Sequence, residues 1–319
     1  MVNMSQRIIV TGGCGFIGAT LSSRLVSEGY EVFSIDIMDK TRIEFDDGWT
    51  KLVCDIRDPM LEELIRRVKP DGIVHLAAVS RVIWGEQNPS SCWDVNVGGT
   101  RNLLRSLDAA GVSPWIIFGS SREVYGECGQ TPVAEDHPKN PKNIYGESKL
   151  EAERMLEQYS RATGPNSVIL RFSNVYGNGL DIMDRVIPRF INSALRGHPI
   201  EVHGGNQIFD FTHIDDTIEG IAKAIGQLEQ TQSSGVRGLS RSYHILTGVG
   251  TSLQDLIGII QPHVGFPIET KRTRSRCYDV DCFVGNPTRA AQELGFRGSI
   301  LPDEGIRRTI ELYRRLQVE

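Results

Sequence analysis

The chain has 319 residues, 39% apolar and 24% charged, which fits a folded protein of one large α/β domain or one domain plus a smaller lobe. A net charge of −5 without a long basic run argues against nucleic acid and anionic membrane as partners. No apolar stretch approaches a membrane span and no basic region precedes one at the N-terminus, so a cytoplasmic location is expected.

Arg7 to Thr11 is a short apolar run that reads as a buried strand. A glycine turn follows at once, with Gly12, Gly15 and Gly18 spaced GxxGxxG. Ile17, Leu21 and Leu25 then recur at helical spacing up to Gly29. Strand, glycine turn and helix together make a pyrophosphate site, because glycines allow close backbone approach and the helix start offers free N–H groups. Glu31 to Asp36 is a second strand ending in an acid, at roughly the 20-residue spacing of a ribose-binding carboxylate. Asp36 would accept bonds from ribose hydroxyls and repel a 2′-phosphate, so NAD is preferred over NADP, a preference that the nearby Lys40 and Arg42 temper.

Val53 to Ile56 reads as a third strand with Asp55 at its end, beside the adenine edge. A helix over Met60–Val68, closed by Pro70–Gly72, leads to a fourth strand, Ile73–Leu76, and then to Ala77 and Ala78, small enough to let backbone lie against a cofactor. Asn96 sits early in a long helix continued by Leu103, Leu104 and Leu107. Trp115–Phe118 is the fifth strand, capped by Gly119–Ser121, and Ser167–Arg171 the sixth. Strands alternating with helices predict a parallel sheet with helices on both faces and a ligand site at the strands' carboxyl ends.

Tyr145 and Lys149 stand four residues apart, on one face if the segment is helical. An adjacent ammonium would stabilise phenolate and lower the tyrosine pKa, so that it takes a proton from an alcohol as a hydride leaves the same carbon. After Gly177 the alternation becomes irregular. Helices are predicted from Val186, after Asp216, from Ser252–Asp255 (a capping-box pattern), over Pro287–Leu294 and over 303–317. Residues 226–240 read as a surface loop. The six cysteines lack a CxxC spacing and are expected to be reduced; the seven histidines lack metal-ligand spacing, so no metal is expected.

The ordered set TGGCGFIG (11–18), Asp36, Asp55-Ile56, LAA (76–78), NVGGT (96–100), SSREVYG (120–126), YGESK (145–149), RFSNVYG (171–177) and FDFTHIDD (209–216) resembles the extended short-chain dehydrogenase/reductase superfamily, in its NAD-dependent nucleotide-sugar epimerase/dehydratase branch. The resemblance implies a Rossmann-type doubly wound parallel sheet with a smaller C-terminal α/β substrate lobe. Residues 1–173, with part of 206–247 returning, would form the NAD domain, and 174–319 mainly the lobe. It implies a nucleotide-diphosphate sugar as substrate and a homodimer. The implied catalytic residues are Ser121, Glu123, Tyr145 and Lys149, with Tyr145 as base, Ser121 bonded to the same hydroxyl, and Lys149 lowering the tyrosine pKa and holding the nicotinamide ribose. The implied cofactor contacts are Gly12, Gly15, Phe16, Ile17, Asp36, Asp55, Ile56, Leu76, Ala77, Ala78 and Asn96, together with Tyr145 and Lys149. The implied substrate contacts are Ser80, Arg81, Arg122, Asn174, Arg189 and Arg276.

Two departures bear on the reaction. Family 4,6-dehydratases usually carry Ser-Thr-Asp-Glu-Val-Tyr-Gly where this chain has Ser-Ser-Arg-Glu-Val-Tyr-Gly, so Arg122 replaces the acid and Glu123 keeps the base that takes the C5 proton. Phe209 stands where an Arg is usual, removing one expected diphosphate contact. Glu123 favours a 4,6-dehydratase; the alternative is a 4-epimerase of the UDP-glucose or UDP-uronate type. A net sugar or sterol dehydrogenase and a non-enzymatic dinucleotide sensor are further readings.

Overall fold

The structure is a computed structural model, and it describes residues 5–39 and 48–316. Lys40 and Arg42 lie outside the described residues. In chain order the first strands and helices are β1 (Arg7–Thr11), α1 (Phe16–Ser27), β2 (Glu31–Asp36), β3 (Thr50–Val53), α2 (Met60–Val68), β4 (Gly72–His75), α3 (Val82–Gln87), α4 (Pro89–Trp93), α5 (Gly99–Ala110), β5 (Trp115–Ser121), α6 (Ile144–Thr163) and β6 (Ser167–Phe172). There follow β7 (Asn174–Tyr176), α7 (Val186–Leu195), β8 (Ile200–His203), β9 (Ile208–His213), α8 (Ile214–Ser233), β10 (Ser240–Ile245), β11 (Gly250–Ser252), α9 (Leu253–Ile260), β12 (Thr270–Thr273), β13 (Cys282–Phe283), α10 (Thr288–Glu293) and α11 (Pro302–Leu316).

Seven strands form one parallel sheet in the order β10-β6-β5-β4-β1-β2-β3. Both faces are covered, which is why β1, β4 and β5 are apolar nearly throughout rather than alternating. On one face Leu21 and Leu25 of α1 and Ile218, Ile221, Ile225 and Leu228 of α8 pack on the sheet. On the other, Leu61, Leu64, Ile65 and Val68 of α2, Leu103, Leu104 and Leu107 of α5, and Leu156 of α6 do the same. The chain order reverses between β1 and β4, and the strand ends open a crevice there for a ligand. A smaller second layer surrounds β9, which pairs with β7, β11 and β13. Its core joins Phe190 and Ile191 of α7, Phe211, Leu256 and Ile306, all buried.

Several boundaries differ from expectation. β3 stops at Val53, and Asp55 and Ile56 lie in the turn beyond it. β5 continues through Gly119–Ser121 because β6 keeps pairing with it to Ser121. Asn96 lies in a π-helical turn, Asp94–Gly98, between α4 and α5. Residues 226–233 are helical, not loop. The Gln- and Ser-rich face of that segment is solvated, but Leu228 is buried against the sheet and the Tyr30 hydroxyl donates to Glu229 Oε1 at 3.0 Å. A helix held by one buried stripe tolerates a polar remainder.

Candidate active site

A cavity of about 870 Å³ opens at the carboxyl ends of the sheet strands and extends to α7 and residues 276–280. Its first wall is the glycine turn. Gly12 has φ +70°, and a Cβ there would lie 2.8 Å from Ala77 N; a Cβ on Gly18 would lie 2.1 Å from Gly12 O. The turn therefore closes against both β4's exit and its own start. Gly15, the N-cap of α1, supplies no side-chain cap, so the first N–H groups of α1 face the cavity without a local acceptor. This cradle fits a dinucleotide pyrophosphate. Asp36 Oδ2 accepts from Cys14 N at 3.0 Å and Oδ1 from Met38 N at 3.1 Å, so the acid also pins the glycine turn.

Phe16, Ile17, Leu76, Ala77, Ala78 and Ser80 all line the cavity, as do Asp55 and Ile56. The Asp55 carboxylate, however, is held by Arg57 at 2.6 Å, and Arg57 also pairs with Asp94 at 2.6 Å. Asn96 does not line the cavity. Its amide braces the wall from behind: Oδ1 accepts from Val79 N at 2.8 Å, and Nδ2 donates to Val79 O at 3.1 Å and to Ser148 Oγ at 2.9 Å. The π-helical turn aims it there.

Asn143 caps α6 by accepting from Gly146 N at 2.8 Å, which fixes the first turn that carries Tyr145 and Lys149 into the cavity. Both are buried, with Ser121 beside them at the end of β5. The expected downward tuning of the tyrosine is reversed. Burial pushes its pKa up to about 12; the Ser121 hydroxyl pulls it down, Glu123 pushes it up and Arg185 pulls it down. Burial also lowers the Lys149 ammonium to about 8. Lys149 Nζ donates to Gly119 O at 2.8 Å and lies 4.8 Å from the centre of the Phe118 ring. Desolvation opposes the charged form of both groups, and in this geometry it outweighs their neighbours.

The far end of the cavity is built from charged pairs. Arg122 Nη2 meets Glu123 Oε1 at 2.9 Å, and Asn143 Nδ2 donates to Glu123 Oε2 at 2.8 Å. The Arg122 guanidinium lies over Phe209, 4.4 Å from the ring centre, with Phe283 at 5.8 Å. Arg81 pairs with Asp184, Arg185 with the buried Asp181 at 3.1 Å, and Arg276 with Asp279 at 2.8 Å. Half-buried Arg189 donates to Glu201 O at 3.2 Å, and burial followed by the charge of Arg276 holds its pKa down. Asn174 sits on the wall at the start of β7. Thus Ser80, Arg81, Arg122, Asn174, Arg189 and Arg276 are all brought to one cavity.

The sequence reading missed Asp181, Arg185 and His203, which also line this end, and the layer beneath the site. There Glu153 accepts from Ser120 Oγ at 2.6 Å and from Arg171 Nε and Nη2 at 2.9 and 2.8 Å, while Arg171 Nη1 donates to Tyr125 Oη at 2.7 Å. Charges at otherwise apolar positions of α6 and β6 were the available signal. Among the described residues no group of three or more His, Cys, Asp or Glu is placed to hold a metal ion, and no helix is long and apolar enough to cross a membrane.

Residues 8–236 match the NAD dependent epimerase/dehydratase family. The chain belongs to that family, within the extended short-chain dehydrogenase/reductase superfamily, and NAD is its cofactor. Among its relatives, a putative UDP-glucose 4-epimerase of Methanocaldococcus jannaschii is 32% identical over 95% of this chain and 97% of its own. The UDP-glucose 4-epimerase of Thermotoga maritima, solved with UDP-glucose, superposes with a TM-score of 0.90 at 27% identity, covering 98% of this chain and 100% of the other. The dTDP-glucose 4,6-dehydratase of Streptomyces venezuelae, solved with NAD, superposes with a TM-score of 0.87 at 28% identity, covering 98% of each. Epimerases and a dehydratase thus stand side by side, and the similarity does not support the preference for dehydration drawn from Glu123.

Proposed function

We propose that the protein is a nucleotide-sugar 4-epimerase acting on a UDP-hexose. The observation that carries this reading is the state of Glu123. A dehydratase needs a free carboxylate to remove the C5 proton, whereas both oxygens of Glu123 are engaged, one by Arg122 and one by Asn143. The names of the relatives at about 30% identity favour the same reaction.

When bound, NAD supplies the hydride acceptor and donor that interconvert alcohol and ketone at C4. Burial favours the neutral phenol, so Tyr145 acts only as its phenolate: in that form it takes the hydroxyl proton as the alcohol is oxidised and returns it when the ketone is reduced on its other face. Ser121 holds the oxygen on which that proton sits. Lys149 fixes the floor of the site through Gly119 O and offers its remaining donors to the nicotinamide ribose. Arg189, Arg276 and Asn174 take the diphosphate, and the cavity leaves the sugar room to turn. The proposal includes a homodimer, which light scattering on the purified chain checks.

The test is incubation with UDP-, dTDP-, GDP- and CDP-hexoses, followed by mass spectrometry and NMR. A product of unchanged mass, inverted at C4 and carrying no solvent deuterium at C5 from D₂O, is expected. Loss of water, or net reduction of added NAD, would overturn the reading. Tyr145→Phe should fold and bind NAD but turn over at least ~10²-fold more slowly; near-normal turnover would place the base elsewhere.

A further inference from the structure

We propose that Arg122 is a positioning residue that holds the Glu123 carboxylate out of carbon-acid chemistry, so that this ion pair guards the fidelity of the reaction. The inference rests on the 4-epimerase reading. A ketone at C4 acidifies the hydrogens on both neighbouring carbons. Any free carboxylate within reach is then a base for them, and general bases accelerate proton transfer by ~10²–10⁴. Glu123 is such a carboxylate by location. It lines the same cavity as Tyr145, and its charge is felt at the phenol.

What removes it from play is its neighbourhood. The side chains of Arg122 and Glu123 are each 8% exposed and meet at 2.9 Å. Taking one charge of a buried pair away leaves the other uncompensated, so the pair holds together strongly. Phe209 and Phe283 support the guanidinium from their ring faces. Among the described residues, the buried Arg122 Nη1 finds no hydrogen-bond partner. That atom is not offered to a ligand, and among the described residues Glu123 is the only ion-pair partner of Arg122. The geometry therefore points to a role for Arg122 exerted through Glu123 rather than by contact with the sugar.

The suppressed step is explicit. A freed Glu123 carboxylate takes the α-proton of the 4-keto sugar. The C–H electron pair becomes the enolate double bond and the ketone oxygen carries the charge. Return of a solvent proton to the same carbon restores the ketone. In D₂O this exchange leaves deuterium at C3 or C5 with no change of oxidation state.

The experiment uses the NAD-loaded full chain, UDP-glucose and D₂O, with deuterium at C3 and C5 read by NMR. Wild type should epimerise without wash-in. Arg122→Met should raise wash-in at one of these carbons by roughly 10²-fold, the Arg122→Met/Glu123→Gln double variant should lose it, and Arg122→Lys, which keeps an ion pair, should suppress it. Asn143→Ser removes the second tether while keeping a good N-cap residue, and should show a smaller wash-in. A merely structural role for Arg122 would slow turnover without producing exchange. Epimerisation without wash-in in Arg122→Met, wash-in that survives in the double variant, or loss of all turnover in both Arg122→Met and Asn143→Ser would overturn the inference and leave the epimerase reading intact. Wash-in or water loss in the wild type would overturn both.

Discussion

The two ends of the cavity are made of different materials. The end formed by β1, the glycine turn and β2 is almost all backbone, with one carboxylate, Asp36, fixed by two main-chain N–H groups. The end formed by Arg122–Glu123, Arg81–Asp184, Arg185–Asp181 and Arg276–Asp279 is almost all ion pairs. Backbone donors hold a pyrophosphate at no cost in side-chain order, and need only glycine where a Cβ would collide. Paired charges are a different device: each cation is neutralised until a ligand competes for it, and the anions decide which cations are free. The lesson is that in this chain the dinucleotide cradle sits on the rigid end, while the charged side chains gathered for a second ligand sit on the adjustable one.

Predictions follow that division, beginning with the layer that both ends stand on. Glu153→Ala leaves the buried Arg171 without its carboxylate and removes the acceptor of Ser120. It should destabilise by about 3–5 kcal/mol, seen as a lower urea midpoint; a change below about 1 kcal/mol would mean that water repairs the gap.

Next in size is Lys149. Its folded pKa is lowered to about 8 from an ordinary 10.5, so between these values the unfolded chain binds more protons and stability rises with pH. Below about 8 the full penalty applies. Lys149→Met should therefore stabilise the protein without NAD by ~3 kcal/mol at pH 7 while abolishing turnover, and flatten the rise toward pH 10. Urea titrations at the two pH values decide it, and an unstabilised variant would mean that the bond to Gly119 O outweighs burial.

Smaller effects separate the two ends directly. Asp36→Ala should reduce the preference for NAD over NADP by about tenfold, measured as the ratio of dissociation constants. It should leave nucleotide-sugar affinity alone. Equal binding of both cofactors by the wild type would remove Asp36 from the discriminating role. Arg276→Ala should do the opposite, weakening nucleotide-sugar binding by a few-fold, about 1 kcal/mol, with NAD affinity unchanged, because this arginine is partly exposed and already paired with Asp279. Calorimetry with each ligand checks both; an unchanged substrate affinity would return Arg276 to the solvated surface.

The sequence by itself determined the alternating fold and the glycine cradle. Both are local: periodicity reports burial on two faces of a sheet, and a GxxGxxG turn between strand and helix has few other uses. It also marked residues that, Asn96 excepted, the fold brings to one cavity with Tyr145, because strand ends converge in a parallel sheet of this order. Tertiary structure alone decided the rest. Asn96 became a brace because a π-helical turn rotated it behind the wall. Residues 226–233 became helix because Leu228 found the sheet. The tyrosine pKa rose instead of falling because desolvation depends on all the atoms around a group, not on the residue four positions away. Above all, Glu123 is a candidate base in one dimension and half of a locked ion pair in three. Its partners are the preceding residue, Arg122, and the cap of α6, Asn143, while two rings of the second layer, Phe209 and Phe283, hold the Arg122 guanidinium, and only the folded chain brings these together.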